Sequence, residues 1–146
     1  MRRPVPWQYW VRLVIAAAVI SGVVSLASRW TTTDDNAVVE VAAPSQLSDI
    51  AQSGKAQFEA RCSECHGQAG GGTNIGPPLI HRVYEAPHHA DLAFRLAVQI
   101  GVRAHHWSFG DMPPQPDITG AEIAAITRYV REVQVANGVG SLSSES

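Results

Sequence analysis

The first thirty residues and the remainder of the chain follow different hydrophobic patterns. MRRPVPWQYWVRLVIAAAVISGVVSLASRW is apolar nearly all round, with no charge from Leu13 to Ser28. Trp10 and Trp30 lie twenty residues apart, about 30 Å along a helix at ~1.5 Å per residue, close to the thickness of a hydrocarbon core. Aromatics at both edges and Arg12 and Arg29 near the ends suit the membrane interface. Residues 1–30 are therefore expected to form a single N-terminal transmembrane helix. A cleaved signal peptide is the competing reading, with small residues Ser25 and Ala27 before the cut. Arg2 and Arg3 precede the run, and Asp34, Asp35 and Glu40 follow it. This bias puts the N-terminus inside and the rest on the periplasmic side of an inner membrane. Residues 31–46, without sustained period and with Pro44, read as a flexible tether.

Three amphipathic patterns then follow. Ser48 is a plausible N-cap for a helix through about Arg61, with Ile50, Gly54, Phe58 and Cys62 on one face. Gly54 on that face costs about 1 kcal/mol against alanine, so another helix is expected to approach closely there. Asp91 to Ile100 forms a second helix, with Leu92, Leu96 and Ile100 as its core stripe, Ala93 and Ala97 beside it, and Gly101 as its stop. Thr119-x-x-Glu122 is a capping box. It opens a last helix with Ile123, Ile126, Val130 and Val133 on one stripe, flanked by Tyr129 and ended by Asn137–Gly138. The expected class is all-α, with one small domain over residues 47–137 and a disordered tail at 138–146.

Composition narrows this picture. Hydrophobic content is 45%, but much of it lies in the early run, so the core beyond it is thin and a bound apolar group would complete it. The formal net charge is −2 and no Lys/Arg cluster follows residue 12. No nucleic-acid partner is expected.

The only two cysteines stand in CSECHG, Cys62 to Gly67. C-x-x-C-H is the spacing of covalent c-type haem attachment, with Cys62 and Cys65 forming thioethers and His66 binding the iron. A redox dithiol would sit in a βαβ pattern, which is missing from the sequence. A zinc site would need a second ligand pair at suitable spacing. A plain disulfide is the remaining alternative. The glycines and the Pro77–Pro78 pair of QAGGGTNIGPPLIH exclude long regular structure. The Pro77 carbonyl could accept the second ring N–H of His66, or Pro77 could be an ordinary turn residue.

Met112 is the sole internal methionine and lies in GDMPPQP. A loop stiffened by three prolines could hold its thioether as the sixth ligand to iron. His81, His88, His89, His105 and His106 are the alternative ligands. The pairs His88–His89 and His105–His106 are expected as solvated or hydrogen-bonded loop residues, because adjacent side chains on a helix point about 100° apart.

CSECHG, IGPPL, GDMPP and EIAAITRYVRE, in this order, resemble class I cytochrome c from about Ser48 to Val135. The resemblance implies one covalent haem c per chain, with Cys62, Cys65, His66, Pro77 and Met112 as its binding residues and His66 and Met112 as its metal ligands. It implies that Gly54 and Tyr129 meet where the first and last helices cross, and that the Pro77 carbonyl receives the His66 N–H. The segment HRVYEAPHHADLAFRLAVQIGVRAHHWSFG has no counterpart motif. The docking lysines of mitochondrial cytochromes c are absent, with Lys55 the only lysine. The N-terminal run is similar to that of bacterial membrane-anchored cytochromes.

The function implied is one-electron transfer, not catalysis, between membrane respiratory complexes: a quinol-oxidising complex and a terminal oxidase, or another redox protein. The alternatives are a haem subunit of a membrane-bound dehydrogenase or oxidase, and a peroxidase-like enzyme using Arg103, His105 or His106 as acid–base groups.

Overall fold

The structure is a computed structural model that describes residues 6–30, with side chains among them as far as residue 21, and residues 38–141. The chain divides into two units, residues 1–34 and 35–146. The first holds helix α1, Trp7–Trp30. Among the described residues no helix is long and apolar enough to cross a membrane. The transmembrane helix expected over residues 1–30 is therefore not found. The expected span falls in part on residues 1–5 and on side chains beyond residue 21, which lie outside the described residues.

The second unit is all-α, with no strand beyond one isolated bridge among the described residues. Helix α2 runs Asp49–Arg61 with Ser48 as its N-cap, the Ser48 hydroxyl accepting from the Ala51 amide. Its buried face is Ala51, Gly54 and Phe58. Ile50, expected on that face, is half exposed, because the stripe advances by three residues before it advances by four. The short helix α3, Ser63–His66, follows directly.

Helix α4 spans Asp91–Ile100 and stops at Gly101 (φ 78°). Of its expected core stripe, Leu92 and Ile100 are 60% and 72% exposed, whereas Leu96 lines the cavity described below. Val98 is buried and Phe94 packs against the core. The helix is short, and its inward face is set by Phe94, which lies over the buried Arg131 guanidinium at 4.7 Å.

Helix α5, Gly120–Ala136, opens on the expected capping box between Thr119 and Glu122. Ile123, Ile126, Tyr129, Val130 and Val133 are all buried. The major helix contact is α2 against α5. There the backbone of Gly54 lies on Ala125 and Ile126, and the Phe58 and Tyr129 rings meet at 5.5 Å, tilted by 55°.

Two segments expected to be loose are tied down where they are described. In the tether, Val39 donates to the Gly71 carbonyl at 2.7 Å, Ala42 exchanges hydrogen bonds with the Asn137 side chain, and Val41 packs on the core. Residues 31–37 lie outside the described residues. In the tail, Val139 is buried and donates to Gln134, and residues 142–146 lie outside the described residues.

Candidate functional site

The end of α2, the helix α3 and the loop after it make one latched unit. The Cys62 amide donates to the Phe58 carbonyl, which carries the chain out of α2 without a break. The glycine-rich loop then folds back on the motif. Gly72 donates to the His66 carbonyl at 2.7 Å, Thr73 Oγ1 donates to the Cys65 carbonyl at 2.6 Å, and Thr73 N donates to the Gly76 carbonyl. This return brings Pro77 to His66, and the ring Nδ1 lies 2.9 Å from the Pro77 carbonyl oxygen. A carbonyl can only accept, so Nδ1 carries the proton and Nε2 keeps its lone pair. Burial lowers the proton affinity of His66 below that of an ordinary imidazole, against the opposing effect of the Pro77 bond. The ring is thus held neutral, in one tautomer and with one free donor nitrogen. Of the two roles open to Pro77 from the sequence, the structure supports acceptor to His66.

Cys62 is half-buried and Cys65 exposed, and the two form no disulfide with each other. Burial pushes the Cys62 thiol up to about 11; the Arg61 guanidinium pulls against this and Cys65 adds to it.

A cavity of about 400 Å³ opens beside this unit, and Phe58, Cys62, His66, Pro77 and Met112 are on its wall. The remainder of the wall is largely apolar, from Leu79, Leu96, Val98, Ile126 and Val130 to Trp107 and Phe109. Met112 enters from the far end of the sequence. It forms an isolated antiparallel bridge with Val102, each amide donating to the other's carbonyl at 2.9 Å. Gln115 donates to the Val98 carbonyl at 2.7 Å, and the Asp111 carboxylate accepts from the Ala104 amide. The methionine is therefore fixed by backbone pairing as well as by the three prolines after it.

The segment from His81 to Gly110, for which the sequence offered no motif, supplies much of the cavity wall: Tyr84, His89, Phe94, His105, His106, Trp107 and Phe109. Trp107 Nε1 donates to the Tyr84 hydroxyl at 3.1 Å, joining the two loops that flank α4. The only cue to this wall in the sequence is the density of aromatic and histidine residues. Arg131 was also missed. It is buried, pairs with Asp91 at 2.8 Å, and donates to the carbonyls of Tyr84 and His89 and to the Gln134 side chain.

Comparison with known protein families matches residues 51–134 to Cytochrome c. The chain belongs to the cytochrome c family. No curated protein and no solved structure matches it. Membership implies covalently attached haem c with its iron, and serves haem-based electron transfer. The structure fits that group. An apolar cavity, a thiol on its wall and a neutral imidazole with one free nitrogen are what residues holding a covalently attached haem would offer.

Proposed function

We propose that this cytochrome c is a one-electron carrier whose haem iron is held between His66 and Met112, and that it is not an enzyme. When bound, haem supplies a reversible one-electron couple. His66 would offer Nε2 from a ring locked by Pro77, and Met112 a thioether from a backbone locked by Val102. Ligation from both sides leaves no position for a substrate, which suits electron passage over catalysis. The observation that carries this reading is that His66 and Met112 line one cavity while each is independently braced.

The test is a redox titration of purified holoprotein with Met112 replaced. Thioether ligation favours the ferrous state, so Met112→His should stay low-spin at a lower potential. Met112→Ala should open the ferrous protein to carbon monoxide, which the wild type should not bind. An unchanged ferric spectrum and potential in Met112→Ala would sink the ligand assignment.

We further propose that residues 1–30 direct the haem domain to the periplasmic side of the inner membrane. What supports this is the placement of Arg2 and Arg3 before the uncharged run and Asp34 and Asp35 after it. N-terminal sequencing of the mature protein and its partition between membrane and soluble fractions separate a retained anchor from a cleaved signal. A mature protein recovered from the cytoplasm would overturn the export reading. A quinol-oxidising complex as donor and a terminal oxidase as acceptor are proposed by family analogy. Quinol-reduced membranes should then reduce the purified holoprotein, and inhibition of the quinol-oxidising complex should stop it.

A further inference from the structure

The sequence separates two histidine pairs by the whole of α4, yet the fold brings them together. His88 and His89 sit in the turn before α4, and His105 and His106 in the loop closed by the Val102–Met112 bridge. The ring of His106 lies 5.6 Å from that of His88 and 5.2 Å from that of His89. One ring nitrogen from each of His88, His89 and His106 falls within 4.8 Å of the others. Neither pair is helical, so the argument that neighbouring histidines diverge does not apply, and the facing rings come from separate loops.

The three side chains differ in how firmly they are held. His89 is half-buried, and its Nδ1 donates to the Val83 carbonyl at 2.6 Å, which leaves Nε2 as a lone-pair donor. This is the outer hydrogen bond that metal-bound histidines normally make. The His89 carbonyl is itself held by Arg131. His88 and His106 are exposed and can turn about their side-chain torsions. Metal–nitrogen bonds of about 2.0–2.1 Å in tetrahedral array put ligand atoms ~3.3 Å apart. Rotation of the two exposed rings toward the fixed one closes the difference.

We propose that His88, His89 and His106 form a second metal site, distinct from the haem iron, that binds one borderline divalent transition-metal ion of the zinc class at the rim of the haem cavity. His89 and His106 both line that cavity. Three neutral nitrogen donors suit zinc or copper(II) and not magnesium or calcium, which take oxygen ligands. Three protein ligands also leave a fourth position open. The site rests on the proposed function in one respect: the haem iron must be held by His66 and Met112 and by none of these three rings.

The test is calorimetric titration of the untagged holoprotein with Zn²⁺ alone. One saturable site is expected. Loss of an outer hydrogen-bond partner alone weakens metal sites by 10–100-fold, so loss of a ligand in His88→Ala or His106→Ala should weaken binding by at least about tenfold. Both residues are exposed, so the fold should survive; His88 lies off the haem-cavity wall, and an unchanged haem spectrum in His88→Ala checks this. His81→Ala is the control: its Nδ1 accepts from the Val83 amide, its ring lies edge-on to Trp107, and it stands outside the trio. Binding in His81→Ala should equal wild type. Absence of saturable binding, or equal binding in wild type, His88→Ala and His106→Ala, would overturn the site.

Discussion

Gly54 on α2 and Ala125 on α5 touch backbone to backbone: a Cβ on Gly54 would collide with the Ala125 carbonyl, and the Ile126 amide nitrogen lies only 2.9 Å from the same point. The collision is with main chain, which cannot swing aside as a side chain can. This contact sets the depth at which the two main helices cross. It also lets the Phe58 and Tyr129 rings meet one turn further along. Phe58 then forms part of the cavity wall beside Cys62.

Gly54→Ala therefore has opposing effects. Alanine favours the helix by about 1 kcal/mol, while overpacking costs typically 1–3 kcal/mol and more against rigid backbone. The net expectation is a loss of roughly 2 kcal/mol in denaturant unfolding of the holoprotein. A variant as stable as wild type would show that the helices do not cross at this depth.

The Glu132 carboxylate ties the start of α2 to α5. It accepts from the Ser48 amide at 3.0 Å, from the Ser48 hydroxyl at 2.7 Å and from Arg128 Nε at 2.6 Å. Burial raises its proton affinity, but the Ser48 and Arg128 interactions outweigh this and hold it below the ordinary carboxylate value. A group depressed in the folded state stabilises fully above its unfolded pKa, and that contribution disappears as pH falls through the folded value. Glu132→Gln should thus lose stability at neutral pH and show a flatter acid limb, with the two proteins converging at low pH. Parallel pH–stability curves would contradict the assignment.

Arg131 connects the segment before α4, and α4 itself, to α5. Its guanidinium binds Asp91, the Tyr84 and His89 carbonyls and the Gln134 side chain, and stacks on Phe94. Removing it leaves several acceptors unpaired, so Arg131→Ala should cost on the order of 3–5 kcal/mol. Lysine lacks the planar fork, so Arg131→Lys should recover little of this. A lysine variant with wild-type thermal stability would mean the charge alone suffices.

Some of this structure was legible in the chain. Helices α2, α4 and α5 start and stop where Ser48, Gly101, Thr119 and Asn137 signal, because capping is local chemistry. The contact between His66 and Pro77 was legible only through the family resemblance, since the residues alone left Pro77 equally suited to an ordinary turn. The burial of α4 was not. Which face of a short amphipathic helix turns inward depends on what lies beneath it, here Arg131 under Phe94 and the cavity beside Leu96. The meeting of His88 and His89 with His106 depends on a loop closed by one two-residue bridge, and no sequence period encodes that closure.

Gly101 is where the fold can be used to move the methionine without replacing it. Its φ of 78° disfavours any L side chain, and a Cβ there would stand 2.6 Å from the Met112 carbonyl oxygen and 3.1 Å from the Pro114 ring. Gly101→Ala should therefore strain the backbone and push the Met112 segment off its bridge to Val102. Gly138 separates the two effects: its φ is 72°, yet nothing lies within 4 Å of its Cβ position. Gly138→Ala should carry the backbone cost alone, about 1–2 kcal/mol. If Met112 ligates the haem iron, Gly101→Ala should lower the reduction potential or add a high-spin fraction, whereas Gly138→Ala should change neither. A difference of about 59 mV is tenfold in a one-electron equilibrium, so even a partial displacement is measurable. Equal potentials and spectra in both variants, with both destabilised, would mean that the Met112 backbone can move without disturbing the iron. The bridge to Val102 would then be a feature of the fold and not of the haem site.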